Sequence, residues 1–173
     1  MITIISGTNR QFSKTLIVSQ AYEEILKQSG NECQIFSLLE LPVDFAFSYL
    51  SDPKTIEFDS LINKYIRPSS KLIIILPEYQ GTFPGIFKLF LDGINPIDLQ
   101  HKKVAMVGVS DGRSGNLRGL DQISNALNYL SVSVYPYNLP ISGIKKMVNS
   151  EFKLVDEVTL KLLQKHAKGF LEF

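Results

Sequence analysis

The chain has 173 residues, 45% of them hydrophobic and 20% charged, which predicts one globular domain over residues 1–173 with a core of its own. The net charge of +1 offers no field that would attract nucleic acid or an anionic membrane, and no apolar run reaches the roughly 18 residues of a membrane-spanning helix. Cys33 is the only cysteine, so an internal disulfide and a multi-cysteine metal centre are excluded, and we expect no metal. The first residues form no basic leader, so we expect a cytoplasmic protein.

Strand-like apolar runs alternate with stretches of helical periodicity along the whole chain. In chain order the pattern predicts a strand at 2–5, a helix at 13–29, strands at 33–38 and 72–76 with a helix at 57–67 between them, a helix at 84–92, a strand at 104–109, a helix at 116–130, a strand at 133–137 and a helix at 150–170. The unbroken apolar run at 72–76 is typical of a central strand buried on both faces. The fold class is therefore α/β: a doubly wound, five-stranded parallel sheet in the order 2-1-3-4-5, with helices on both faces.

The segment 41–55 does not follow this rhythm. It shows no clean period and carries three aromatic residues, Phe45, Phe47 and Tyr49. A long irregular segment in a compact domain is usually functional or mobile. Aromatic side chains that simply plug into the core are an equally good explanation, and the sequence leaves both open.

Three loops follow the first, third and fourth predicted strands, where open parallel sheets bind their ligands. The first loop, residues 6–15, offers the hydroxyls of Thr8, Ser13 and Thr15, the guanidinium of Arg10 and the start of a helix. Hydroxyls, a charged fork and free N–H groups at a helix N-terminus suit a phosphate. Ser13 could instead serve only as the helix N-cap. The spacing matches neither G-x-x-x-x-G-K-[ST] nor G-x-G-x-x-G, so both nucleotide motifs are disfavoured.

The second loop comes directly after the central strand and favours a flat ligand. Tyr79 supplies a ring that can pack against a planar group, and Gly81 lets the backbone approach closely. Pro77 and Pro84 stiffen the two ends of the loop. Taken one at a time, Tyr79 could be a core-edge residue and Glu78 a solvated carboxylate.

The third loop, residues 110–116, brings Ser110, Gly112 and Gly115 to the same edge of the sheet. A phosphate site beside a flat, backbone-lined slot favours FMN as the cofactor, with the redox chemistry supplied by the flavin and no catalytic side chain required. His101 lies in a polar turn and His166 on the last helix, so we expect both to be surface residues.

These loops carry motifs at 7–15, 77–88 and 109–115, and through them the chain resembles the NADPH-dependent FMN reductase family, which includes chromate- and quinone-reducing flavoproteins and some azoreductases. The resemblance implies a flavodoxin-like fold, FMN, and ping-pong use of NADPH or NADH followed by a small-molecule acceptor. It also implies a homodimer or homotetramer. By the same resemblance, the FMN phosphate would be held by Thr8, Arg10, Ser13 and Thr15. The isoalloxazine ring would be lined by Pro77, Glu78, Tyr79, Gly81, Ser110, Gly112 and Gly115.

The chain departs from the family pattern at Leu89, Gly93 and Asn116, and these departures affect the expected subunit contact and a glycine of the third loop. Two functions remain open. The first is an FMN-dependent NAD(P)H oxidoreductase that reduces flavins, quinones or similar small acceptors. The alternative is a flavodoxin-like electron carrier without its own nicotinamide reductase activity, against which the net charge of +1 argues.

Overall fold

The computed structural model describes residues 1–173. The strands are β1 (Ile2–Ser6), β2 (Cys33–Ser37), β3 (Lys71–Pro77), β4 (Lys103–Val109), β5 (Ser133–Val134) and β6 (Leu139–Ile141). The helices are α1 (Lys14–Gln28), α2 (Phe45–Ser48), α3 (Ile56–Leu61), which continues into a wider π-helical turn at Ile62–Ile66, α4 (Gly85–Gly93), α5 (Leu117–Tyr129) and α6 (Glu157–Glu172). No helix combines the length and apolarity needed to cross a membrane.

The sheet is parallel, and its strand order β2-β1-β3-β4-β5 confirms the predicted topology. The count of five strands was wrong, because a sixth strand pairs with β4. The predicted last strand ends early at Val134, and Pro136, which has no N–H to donate to a ladder, follows. The chain returns to the same edge as β6, where Leu139 lies opposite Val107. One edge of β4 is therefore shared by two short strands.

Both faces of the sheet are covered, which explains the apolar runs without alternation. One core lies under α3, α4 and α5 and takes every second residue of the central strand, including Ile74 and Leu76. The other core lies under α1 and α6 and takes the intervening residues Ile73 and Ile75. Because helices cover both faces, a ligand can reach the sheet at the carboxyl ends of its strands.

The irregular segment 41–55 divides its aromatic residues between core and solvent. Phe45, on the single turn of α2, is buried with its ring centroid 4.8 Å from that of Phe58. Phe47 is 94% exposed, whereas Tyr49 is half-buried. The explanation by core packing thus holds for Phe45 and fails for Phe47.

The C-terminal helix begins later than predicted. Asp156 is its N-cap and accepts a hydrogen bond from the Thr159 N–H at 2.8 Å, while an isolated antiparallel bridge joins Val148 and Leu154 before it. The hydrophobic residues at 154 and 155 fit the helical spacing but lie before the helix, because Leu154 belongs to the bridge. The cap residue, which satisfies a free N–H of the first turn, fixes the true start.

His166 is buried, and its prediction as a surface residue was wrong. Its Nδ1 lies 2.8 Å from the Tyr22 hydroxyl and its Nε2 lies 3.0 Å from the carbonyl oxygen of Tyr137. A carbonyl only accepts, so Nε2 carries the proton and Tyr22 donates to Nδ1. Burial lowers the pKa of His166 to about 4 and raises the pKa of Tyr22. The pair joins α1 to α6 across one core. His101, in contrast, is exposed in its turn, as expected.

Candidate functional site

The three loops meet at the carboxyl edge of the sheet around a cavity of about 190 Å³. Seven of the residues singled out from the sequence line it: Arg10, Ser13, Thr15, Pro77, Glu78, Tyr79 and Ser110. The cavity lies beside the start of α1, between the ends of β1, β3 and β4. It is smaller than the roughly 300–1,000 Å³ of typical ligand pockets, so a molecule the size of FMN would extend beyond it.

The first loop leaves β1 through a very close approach to β3. The Gly7 N–H donates to the Ile75 carbonyl at 2.9 Å. A Cβ at position 7 would lie 3.0 Å from that carbonyl oxygen and would overlap the Leu76 side chain. Only glycine allows the first loop to pass this close to the backbone of β3 as it leaves the sheet.

Five consecutive backbone N–H groups, those of residues 11–15, donate to no acceptor within the chain. They span the turn before α1 and its first two residues, where a helix presents free donors and the positive end of its dipole. We call these five groups the N–H cradle. Arg10 and Lys14 stand beside it and form no ion pair. Donors and cations without an acid to balance them suit an anion.

Ser13 is the N-cap of α1. Its hydroxyl accepts from the Leu16 N–H at 3.3 Å, and the residue is part of the cavity lining. A hydroxyl oxygen that accepts one bond retains its own proton as a donor. Capping and ligand binding are therefore compatible at this position.

Thr8 connects the first loop to the second. It is fully buried and does not line the cavity. Its Oγ1 accepts from the Arg10 N–H at 3.2 Å and lies 2.8 Å from the Tyr79 hydroxyl. The pair fixes the ring of Tyr79, which does line the cavity, relative to the N–H cradle.

Gly81 lies in a tight hairpin turn rather than on the cavity wall. Tyr79 and Thr82 exchange backbone hydrogen bonds of 2.8 and 3.1 Å. Gln80 and Gly81 between them have φ values of 52° and 80°, as a type I′ turn requires. A Cβ on Gly81 would come no closer than 3.5 Å to a neighbour, the Arg118 guanidinium. The turn alone accounts for the glycine.

The third loop is held by Ser110. Its hydroxyl donates to the Gly112 carbonyl at 2.9 Å and accepts from the Gly115 N–H at 3.0 Å. Gly115 has a φ of 57° and packs on β6, where an added Cβ would lie 2.5 Å from the Pro140 Cβ. Gly112 is exposed with nothing within 4 Å of such a Cβ. Neither glycine lines the cavity.

Asn116 ties the third loop to the second, and sequence reasoning noted it only as a departure. It has a φ of 63° and is 1% exposed. Its Nδ2 donates to the carbonyls of Leu76 at 3.2 Å and Pro77 at 3.0 Å. Asparagine is among the few residues that share the left-handed conformation with glycine, and that exchange was the available signal. Nearby, Glu78 accepts a hydrogen bond from Ser114.

Five further residues line the cavity although the sequence analysis assigned them no site role: Phe12, Lys14, Val109 and Asp111, which lie in the predicted loops and motifs, and Ile144, which lies outside them. Phe12 has a φ of 53° and is 86% exposed, a strained conformation for a bulky side chain. No sequence signal identifies it. Ile144 comes from the loop after β6, a strand that was not predicted.

The chemistry of this edge of the sheet fits FMN. The N–H cradle provides donors for a phosphate, and residues 77–79 together with Ser110 provide a wall of ring and backbone beside it. The structure brings together no group of three His, Cys, Asp or Glu side chains that could hold a metal ion.

Comparisons with known proteins agree with these features. A family model described as NADPH-dependent FMN reductase matches residues 1–145. An NADPH azoreductase of Bacillus sp. strain OY1-2 is 22% identical over 143 residues, covering 83% of this chain and 77% of the relative. The CrdA subunit of an NADH:(hydroxy)cinnamate reductase of Vibrio ruber is 25% identical over 174 residues, covering 98% and 84%.

Two solved structures show the fold. FerB of Paracoccus denitrificans, a flavoenzyme NAD(P)H:(acceptor) oxidoreductase, superimposes with a TM-score of 0.78 at 20% identity, covering 99% of this chain and 94% of FerB. Oxidised flavodoxin 2 of Bacillus cereus gives a TM-score of 0.66 at 17% identity, covering 99% and 97%. The architecture is flavodoxin-like, and at these identities the likeness speaks for the fold alone.

Proposed function

The chain belongs to the NADPH-dependent FMN reductase family, and from that premise we propose that it binds FMN at the cavity and reduces small acceptors with electrons from NADPH or NADH. Family membership makes the protein an oxidoreductase that uses FMN with a reduced nicotinamide nucleotide. The proposal adds the residues that hold the flavin, the ping-pong order of the two substrates, and the acceptors, which we take to be flavins, quinones or similar compounds.

The N–H cradle carries the proposal. Five consecutive donors without an acceptor at the start of a 15-residue helix are costly unless water or an anion satisfies them. A phosphate accepts several such bonds at once, and charge-assisted hydrogen bonds are about twice as strong as neutral ones. Arg10 adds a guanidinium at the rim, and the Ser13 hydroxyl retains a proton to donate. We assign the FMN phosphate to this place.

The flavin ring is assigned to the wall formed by the second and third loops. Hydrogen bonds within and between the loops hold this wall in place: Thr8 with Tyr79, Asn116 with Pro77, and Ser110 with Gly115. A preformed wall orients a flat ring at little entropic cost. FMN, when bound, supplies the hydride chemistry. The residues of the chain position the ring and leave one face accessible to the nicotinamide and then to the acceptor.

An Arg10→Ala variant tests the phosphate assignment. The loss of one charge-assisted hydrogen bond should weaken FMN binding by about 1.5–3 kcal/mol, which is roughly 10- to 150-fold in Kd. The measurement is a flavin fluorescence titration of the FMN-free protein. Lys165→Ala, at an exposed position on α6, is the control and should bind FMN normally. Unchanged affinity in the Arg10 variant would remove this residue from the site.

Anaerobic addition of NADPH to the FMN-loaded protein separates the enzyme from an electron carrier. We expect the flavin absorption to bleach on direct mixing and to return when a quinone is added. A flavin that binds but is reduced by neither NADPH nor NADH would favour the carrier, whose fold is the same. A protein that acquires no flavin would refute both functions.

A further inference from the structure

A second cleft, of about 410 Å³, adjoins the flavin cavity. The seven residues that line it include no hydrophobic side chain: Asp111, Gly112, Arg113, Ser142, Gly143, Lys145 and Lys146. It shares Asp111 with the cavity described above. We call it the basic cleft, because three of its seven residues are cationic and one is acidic.

The two sides of the basic cleft are joined by backbone hydrogen bonds. The Gly143 N–H donates to the Gly112 carbonyl at 3.2 Å, and the Ile144 N–H donates to the Ser110 carbonyl at 3.1 Å. Both bonds link the loop after β6 to the loop after β4. Backbone hydrogen bonds therefore fix the cleft at the carboxyl edge of the sheet. Ile144, which donates one of these bonds, also lines the cavity assigned to the flavin.

The positive charge of the cleft exceeds its negative charge. Arg113, Lys145 and Lys146 are exposed and take part in no ion pair. Asp111 supplies the one carboxylate of the cleft, and its Oδ1 accepts from the Lys145 N–H at 3.1 Å, so the lining keeps an excess of two positive charges. The chain as a whole carries only +1, so this local excess is a property of the cleft. Three cations around a space without apolar lining suit an anion and disfavour a flat, uncharged acceptor.

We propose that the basic cleft binds a phosphate group of the nicotinamide nucleotide that reduces the flavin. The inference rests on the proposed function, in which NADPH or NADH approaches the accessible face of the bound flavin. The FMN phosphate has its own donors at the N–H cradle, on the other side of the cavity. The reducing nucleotide brings further phosphates, a pyrophosphate in both cases and a 2′-phosphate in NADPH. A guanidinium and two ammonium groups are the side chains that bind such groups best.

The test is anaerobic stopped-flow reduction of the FMN-loaded protein, with wild type compared with an Arg113→Gln variant and a Lys145→Gln/Lys146→Gln double variant. The apparent Kd of the donor should rise about 10- to 100-fold in each variant, as expected for lost charge-assisted bonds, while the limiting rate at saturation stays near that of wild type. Weakened binding of NADPH alone identifies the 2′-phosphate, and equal weakening of NADPH and NADH identifies the pyrophosphate. A Lys161→Gln/Lys165→Gln double variant on α6 removes the same charge elsewhere and should change neither.

Three results would overturn the proposal. Unchanged Kd values for both nucleotides would make the cleft an ordinary solvated surface. A weakened affinity for FMN itself would assign the cleft to the flavin. An effect confined to reoxidation by anionic quinones, with neutral quinones as the reference, would assign it to the acceptor. A wild-type flavoprotein that neither nucleotide reduces would refute the proposed function as well, whereas normal reduction with unchanged Kd values in the variants refutes only the cleft.

Discussion

Replacing Asn116 by aspartate should destabilise the protein strongly, although the two side chains have the same shape. The Nδ2 of Asn116 donates to two carbonyls, of Leu76 and Pro77, at a position that is 1% exposed. Aspartate tolerates the left-handed backbone as asparagine does, so neither strain nor a cavity is added. The substitution instead places a buried carboxylate against two carbonyl oxygens. An uncompensated buried charge costs about 3–5 kcal/mol, a large part of the roughly 5–15 kcal/mol that stabilises a domain.

Urea unfolding of the FMN-free protein measures this loss. At a slope of about 2 kcal/mol per molar urea, Asn116→Asp should lower the midpoint by roughly 1.5–2.5 M at pH 8. Burial raises the pKa of the introduced carboxyl, so the folded state binds the extra proton more readily and the loss should shrink at pH 5. Asn125→Asp on the exposed side of α5 is the control and should shift the midpoint little. A midpoint near that of wild type at pH 8 would mean that Asn116 does not hold the second and third loops together.

Two further substitutions probe other features. His166→Gln should reduce the loss of folding stability that occurs between about pH 6.5 and pH 4. Burial lowers the pKa of His166 in the folded state to about 4. The neutral histidine therefore stabilises the fold fully above about pH 6.5, and the folded protein loses about 3 kcal/mol of stability as the pH falls to 4. His101→Asn in the exposed turn is the control, and an unchanged pH profile for His166→Gln would contradict the buried pair with Tyr22. Phe12→Asn should raise the unfolding free energy of the FMN-free protein by about 1 kcal/mol, because asparagine accepts a φ of 53° with less strain; a lower urea midpoint would show that the ring makes stabilising contacts.

The sheet and its order could be predicted because a central strand buried on both faces imposes a continuous apolar run, and 72–76 has one. The late features lacked such a signal. The strand Leu139–Ile141 has only three residues with a proline at its centre, and such a segment resembles a turn. His166 was misjudged because its partner Tyr22 lies 144 positions away, and helical spacing alone does not reveal a buried polar pair.

The candidate site was predictable in part for the same reason. Loops that follow parallel strands must meet at one edge, so motifs at three strand ends indicated a common cavity. The role of each residue within the loops could not be predicted from the sequence. The glycine at 81 serves a hairpin turn and Thr8 serves the contact between loops, since backbone angles and burial decide these roles. The basic cleft was missed because half of it comes from the loop after the unpredicted strand β6.

The split of the last strand also bears on how the protein behaves at high concentration. An open sheet exposes unpaired backbone groups at its edges, and a long, flat edge can recruit a strand from another molecule. Here the edge beside β4 consists of two residues in β5 and three in β6, with Pro136 between the two strands and the exposed Pro140 at the middle of β6. Neither piece is long enough to template a neighbouring chain, and each proline withholds a donor. The division of this edge into two short strands therefore makes it a poor template for fibrillar association.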